Sequence, residues 1–318
     1  MEDRPVTAPS LRLGLTTTGD AASLDRVARL GLTAWEWVRF DTSLAGPGTT
    51  DWRPHAEMIG ALCQARGLRL SAIAAWYRNP LDPRQTGPAR AAFLRALEVA
   101  AFLGVRTVAG FSGAVVETVV DERGGHPVYQ PFENYLPQML AFWEPLAQVA
   151  AERGLRIAFE NCPQGRHRLP VMNYNWMGQP ALWERFFDAT RCPNLGLEWD
   201  PSHLVCQLID PVKNLRKFAS RVFHVHAKDA WINRPLLEQY GICHPGVSEH
   251  RFPGLGQVDW REIIRVLTAS GYDSDLTIEG FHDPVYRDHP AQPEGPLAGR
   301  RLEDQGVLIA KRNLETLL

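Results

Sequence analysis

Arg153-Gly154-Leu155-Arg156-Ile157-Ala158-Phe159-Glu160 carries three signals in a row. The glycine supplies the left-handed stop that ends a helix. The apolar run behind it reads as a buried strand, and a carboxylate closes it. Three further runs in the second half end in the same way: Leu195-Gly196-Leu197-Glu198-Trp199-Asp200, Val222-Phe223-His224-Val225-His226 and Leu276-Thr277-Ile278-Glu279. If these are neighbouring parallel strands, Glu160, Asp200, His226 and Glu279 emerge at one carboxyl-terminal edge. Two Glu, one Asp and one His make a set of mostly hard oxygens with one imidazole, which suits Mn²⁺, Mg²⁺, Co²⁺ or Zn²⁺.

Outward from that stretch, strand and helix alternate. The patterning predicts strands over 11–16, 33–39, 68–76, 105–111, 155–160, 194–200, 221–227 and 275–280. Helices are expected over 23–30, 53–66, 88–103, 132–153, 180–190, 211–219, 259–270 and 298–316. Glycine stops recur at Gly67, Gly104 and Gly271. Eight such units predict an α/β fold with 1–318 as a single (β/α)8 TIM barrel domain. The rival is an open doubly wound sheet, but Leu15-Thr16-Thr17-Thr18-Gly19-Asp20 after the first strand lacks the Gly-x-Gly-x-x-Gly phosphate turn. Catalytic groups of a barrel sit at strand carboxyl ends, where the four candidate ligands fall. Extended loops are expected after strand five (163–179, with Arg166, His167, Asn175 and Trp176) and strand seven (230–258, with Trp231, Tyr240, His244, His250 and Arg251). Such loops cap substrate or make oligomer contacts.

Composition narrows the function. The chain has 318 residues, 45% hydrophobic and 22% charged, with a formal charge of −2. No basic excess speaks for a nucleic-acid or anionic-membrane surface. No apolar run of membrane-spanning length occurs, and the start shows no signal core. Five scattered cysteines without a Cys-x-x-Cys pair read as buried, reduced thiols. The expected compartment is the cytoplasm.

Five motifs in order resemble the xylose-isomerase-like barrel superfamily, which includes tagatose and allulose 3-epimerases, inosose dehydratases and apurinic-site endonucleases. They are Ala158-Phe159-Glu160-Asn161-Cys162-Pro163, Trp199-Asp200-Pro201-Ser202-His203, His224-Val225-His226-Ala227-Lys228-Asp229, Arg251-x-Pro253-Gly254-x-Gly256-x-x-Asp259-Trp260 and Ile278-Glu279. They cover strands five to eight, while the first half is similar only in pattern. The resemblance implies that Glu160, Asp200, His226 and Glu279 hold one divalent ion, often manganese. It also implies that Glu160 and Glu279 form the acid–base pair, and that His203, Arg251 and Lys228 contact substrate oxygens. Trp76, Phe111 and Trp199, at strand ends, are candidate apolar walls for a sugar ring, with core packing as the alternative.

His226 is preferred to His224 as ligand because it heads the His-x-x-Asp motif. Asp229 is expected to orient His226 or a loop. The chemistry implied is isomerisation or epimerisation of a small carbohydrate through an enediolate. A lyase on the same scaffold begins with the same proton abstraction: a keto-inositol dehydratase, or an eliminase cleaving 3-keto-glycosides. An endonuclease needs extra histidines at early strand ends, but strand three ends at Trp76-Tyr77 and strand four at Phe111-Ser112. A non-catalytic barrel would require a vestigial ligand set. A homo-oligomer, or a partner subunit closing the site, is compatible with the long loops.

Overall fold

Gly154 adopts φ 68°, and the Leu155 N–H turns back to the Ala150 carbonyl at 2.8 Å, so the helix stops and the next strand begins. This computed structural model describes residues 11–40, 51–75, 79–122, 124–163, 175–280, 282–288 and 302–318. Along the chain run β1 (Leu13–Thr17), α1 (Ala21–Arg29), β2 (Ala34–Trp37), α2 (Arg53–Arg66), β3 (Arg69–Ala74), α3 (Thr86–Leu103) and β4 (Thr107–Gly110). Then come β5 (Val116–Asp121), β6 (Gly124–Tyr129), α4 (Phe132–Ala151), β7 (Arg156–Glu160), α5 (Pro180–Ala189), β8 (Leu195–Trp199), α6 (Pro201–Cys206) and α7 (Pro211–Phe218). The chain continues through β9 (Val222–Ala227), β10 (Asp229–Ile232), α8 (Arg234–Tyr240), β11 (Ser248–Arg251), α9 (Trp260–Ala269), β12 (Leu276–Ile278) and α10 (Leu302–Glu315).

Eight strands close into a parallel barrel in the order β1-β12-β9-β8-β7-β4-β3-β2. The fold is the expected (β/α)8 barrel. Two hairpins were not anticipated. One, β5–β6, stands between β4 and α4; the other, β10–β11, forms within the expected loop after the seventh barrel strand and brackets α8. Val119 and Val120 of β5 are exposed, so that hairpin has no clean buried face to announce it in the pattern. After β8 the chain makes the short α6 before α7, where one helix was expected. The five cysteines are free thiols, but only Cys206 is buried and Cys243 is exposed. Among the described residues, no helix is long and apolar enough to cross a membrane.

Period-two alternation divides each barrel strand. Outward residues pack against the helices, where Phe93, Trp143, Phe159 and Phe186 make consecutive edge-on contacts at 4.8, 4.7 and 5.6 Å. Inside the barrel the filling is polar rather than the usual branched aliphatics. Glu36, Ser71, Glu198, His224, His226 and Thr277 are all buried there. Buried polar groups on this scale need partners, and those partners lead to the site.

Candidate metal centre

Barrel order places β12, β9, β8 and β7 side by side, and Glu279, His226, Asp200 and Glu160 stand at the head of these four strands. One donor atom from each lies within 4.8 Å of those of the other three, and all four residues are buried. His226 Nδ1 faces Glu279 Oε2 at 3.2 Å and Glu160 Oε1 at 3.6 Å. Residues 26 to 119 positions apart in sequence thus converge because parallel neighbours share one edge.

Local structure aims each group. Asp200 caps α6, and its Oδ1 accepts the Ser202 N–H at 2.8 Å. Its Oδ2 is buried and accepts no hydrogen bond, with His203 Nε2 at 3.2 Å and Lys228 Nζ at 3.3 Å. A buried carboxylate oxygen that accepts no hydrogen bond and has cationic groups gathered round it is a position a metal cation would suit. The donor set of three carboxylates and one imidazole fits a hard or borderline divalent ion.

Asn161, absent from the sequence-level candidates, ties β7 to β8. Its Oδ1 accepts the Asp200 N–H at 2.6 Å and its Nδ2 donates to the Asp200 carbonyl at 2.9 Å. Asn175 makes a second knot, donating to the Glu160 carbonyl at 2.6 Å and accepting from the Ser112 N–H at 3.0 Å. Because Asn161 satisfies a buried backbone N–H, Asn161→Ala is expected to cost about 1–3 kcal/mol. Urea denaturation measures this, and an unchanged midpoint would show that the clamp contributes nothing.

The sequence-level candidates fare differently. Lys228, for which an ordinary surface position was the alternative, is only 2% exposed, with Nζ 3.1 Å from Glu279 Oε2 and 3.4 Å from His203 Nε2. His203 reaches Glu160 Oε1 at 3.4 Å, so both border the centre. Arg251 on β11 is tied by Nε to Asp283 Oδ2 at 3.0 Å, and the same oxygen accepts the Phe252 N–H. Asp229 holds the following loop: Oδ1 accepts from Ala230 and Val258, Oδ2 from Gly254. A Cβ on Gly256 would come within 2.1 Å of Asp229 Oδ1, which explains glycine there. Phe111 is buried among Val38, Ala74, Ala109, Ala158 and Phe223, and Trp199 is wholly buried in the main core. Trp76, and most of the loop after the fifth barrel strand, lie outside the described residues.

A row of histidines extends from the centre. The His203 and His250 rings stand 5.0 Å apart, and those of His250 and His282 5.9 Å apart. Burial and the Lys228 charge push His250 well below the ordinary imidazole value, so it is neutral. For Glu160, burial pushes the carboxyl up, but hydrogen bonds from His203 and His226 outweigh it and bring the group down to about 2. Glu279 is likewise held well below its usual range against burial, chiefly by the Lys228 charge and then by His226. Both carboxylates are therefore ionised at neutral pH.

Beneath the centre is a second polar layer. His224 Nδ1 lies 2.8 Å from Glu198 Oε1 and its Nε2 3.1 Å from Ser71 Oγ, which places His224 deeper than His226. His226 Nε2 lies 2.8 Å from Glu36 Oε2. Burial, then the Glu36 charge, pushes the Glu198 carboxyl well above its ordinary value.

A family model described as a xylose isomerase-like TIM barrel matches residues 24–302. The chain belongs to this family. An uncharacterised protein, YfiH, of Bacillus subtilis (strain 168) is 27% identical over 222 residues, covering 63% of this chain and 68% of its own. An inosose dehydratase of Lacticaseibacillus casei is 22% identical over 223 residues, 68% of this chain and 71% of its own. Among solved structures, a D-psicose 3-epimerase from Clostridium cellulolyticum H10, crystallised with D-tagatose, superposes with a TM-score of 0.67 at 16% identity, over 97% of this chain and 99% of its own. The family match takes in all four candidate ligands at the strand ends and the loop around Asp229.

Proposed function

We propose that this protein is a divalent-metal-dependent isomerase or epimerase of a small keto-sugar, with Glu160, Asp200, His226 and Glu279 holding the ion. The observation that carries this reading is the convergence of those four buried groups, with an Asp200 oxygen among them that accepts no hydrogen bond. Manganese is the ion proposed, with magnesium, cobalt and zinc as alternatives of compatible chemistry. When bound, such an ion polarises a carbonyl and the adjacent hydroxyl and so makes the proton between them more acidic.

The chain's own groups do the rest. Glu160 and Glu279 come from the two outer strands of the four-strand arc, so they flank the centre from opposite sides. Being ionised, one accepts the proton next to the carbonyl; the other, on the far face, takes a proton from water and delivers it to the same carbon, and the first then gives its proton up to water. His203, beside Glu160, and Lys228, beside Glu279, offer N–H donors to substrate oxygens. Arg251, oriented by Asp283, and Phe111 are proposed to face the outer part of the substrate, and Trp76 remains a proposed substrate contact.

A lyase outcome is the second reading, favoured by the likeness to an inosose dehydratase. Removal of the same proton then expels a group from the neighbouring carbon. Incubation with Mn²⁺ in D₂O, first with ketohexoses and then with 3-keto-glucosides, separates the two. Deuterium incorporation without an eliminated product supports isomerase or epimerase chemistry, and release of water or aglycone supports the lyase. Activity that survives thorough chelation, or no exchange with either class, would overturn the proposal. The cytoplasm remains the proposed compartment.

A further inference from the structure

We infer that Glu36 is a positioning residue, which acts from beneath the centre by fixing the tautomer and ring orientation of His226. The inference rests on the metal-centre reading above. Glu36 lies in Trp35-Glu36-Trp37, at the middle of a strand whose residues are all buried. A carboxylate there costs several kcal/mol unless it is paired and hydrogen-bonded. β2 and β9 are not neighbours, since β1 and β12 stand between them. The 2.8 Å contact from His226 Nε2 to Glu36 Oε2 therefore runs across the barrel interior. Thr277 Oγ1, from β12, approaches the same oxygen at 3.5 Å.

A neutral imidazole has one N–H and one lone pair. Where an ion takes the place of the Nδ1 proton that otherwise points at Glu160 and Glu279, the ring keeps its one N–H on Nε2, donated to Glu36, and the lone pair sits on Nδ1. A carboxylate behind a ligand histidine also raises its basicity. Glu198 lies farther from the same nitrogen, at 3.5 Å, and its closer contact is to His224. His224, held between Glu198 and Ser71, locks the floor on which His226 stands. Glu36, Glu198, His224 and His226 are themselves close enough to share an ion. Three of their four ring nitrogens are spent on Glu36, Glu198 and Ser71, and this engagement is what lets the layer support the centre.

The test uses Co²⁺ as probe, with the full chain stripped of metal. Glu36→Gln keeps size while removing the charge, and Glu36→Asp keeps the charge while withdrawing it from Nε2. Glu36→Gln is expected to weaken Co²⁺ binding by about 10–100-fold and to shift the visible absorption of the saturated Co²⁺ protein. Circular dichroism checks the fold. Glu36→Asp is expected to weaken binding several-fold and supplies the reading if Glu36→Gln does not fold. A folded variant of either kind with wild-type affinity and an unchanged spectrum overturns the role of Glu36. Wild-type protein that binds no Co²⁺ defeats the metal-centre reading instead, so the two failures are told apart.

Discussion

Glu160→Gln and Glu279→Gln are each expected to lower turnover by about two to four powers of ten, the usual contribution of a positioned acid or base. The amide keeps the shape and one oxygen but cannot take a proton. Each glutamate is also a proposed ligand, so turnover is compared at saturating Mn²⁺, where weakened binding alone would be made good. The two variants should differ in kind. Where the missing group is the one that accepts the proton, exchange of substrate hydrogen with D₂O stops. Where it is the partner, exchange continues but product does not form. Turnover within about threefold of wild type at saturating metal would remove that glutamate from the proton-transfer step.

The contrast between these residues and their supports shows how far the sequence speaks. The convergence of Glu160, Asp200, His226 and Glu279 was legible because each stands at the end of an apolar run, and parallel strands bring such ends together whatever the intervening chain does. Asp229 was legible as an orienting group through its motif, though its loop hydrogen bonds were not. Glu36 was missed because a single acid between two tryptophans gives no hint of a partner 190 positions away. Asn161 was missed because its work is on backbone atoms of a neighbouring strand. The β5–β6 hairpin left little trace because its valines are exposed, and apolar periodicity reports only a buried face. Lys228 stood in a motif, yet lysine is ordinarily at the surface, and only the closed barrel shows it sealed between Asp200 and Glu279.

That sealing gives the second large expectation. Lys228→Met preserves the length of the chain and fills the space with an adaptable apolar group. It also takes away the cation 3.1 Å from Glu279 and 3.3 Å from Asp200. Breaking a buried pair by removing one partner costs about 3–5 kcal/mol, because the other charge stays buried without compensation. Urea denaturation in the presence of a chelator should show a loss of this size. Mn²⁺ should then recover more stability in the variant than in the wild type, since a cation entering the four-residue centre no longer meets the ammonium's repulsion. Binding to the folded state alone stabilises by about 2.7 kcal/mol at one hundred times the dissociation constant, so the difference between the two proteins is measurable. A variant as stable as wild type under chelation would mean that Lys228 does not compensate the carboxylates. Equal gains from Mn²⁺ in both proteins would mean that the lysine and the ion do not act on the same charges, and the proposed centre would have to lie elsewhere.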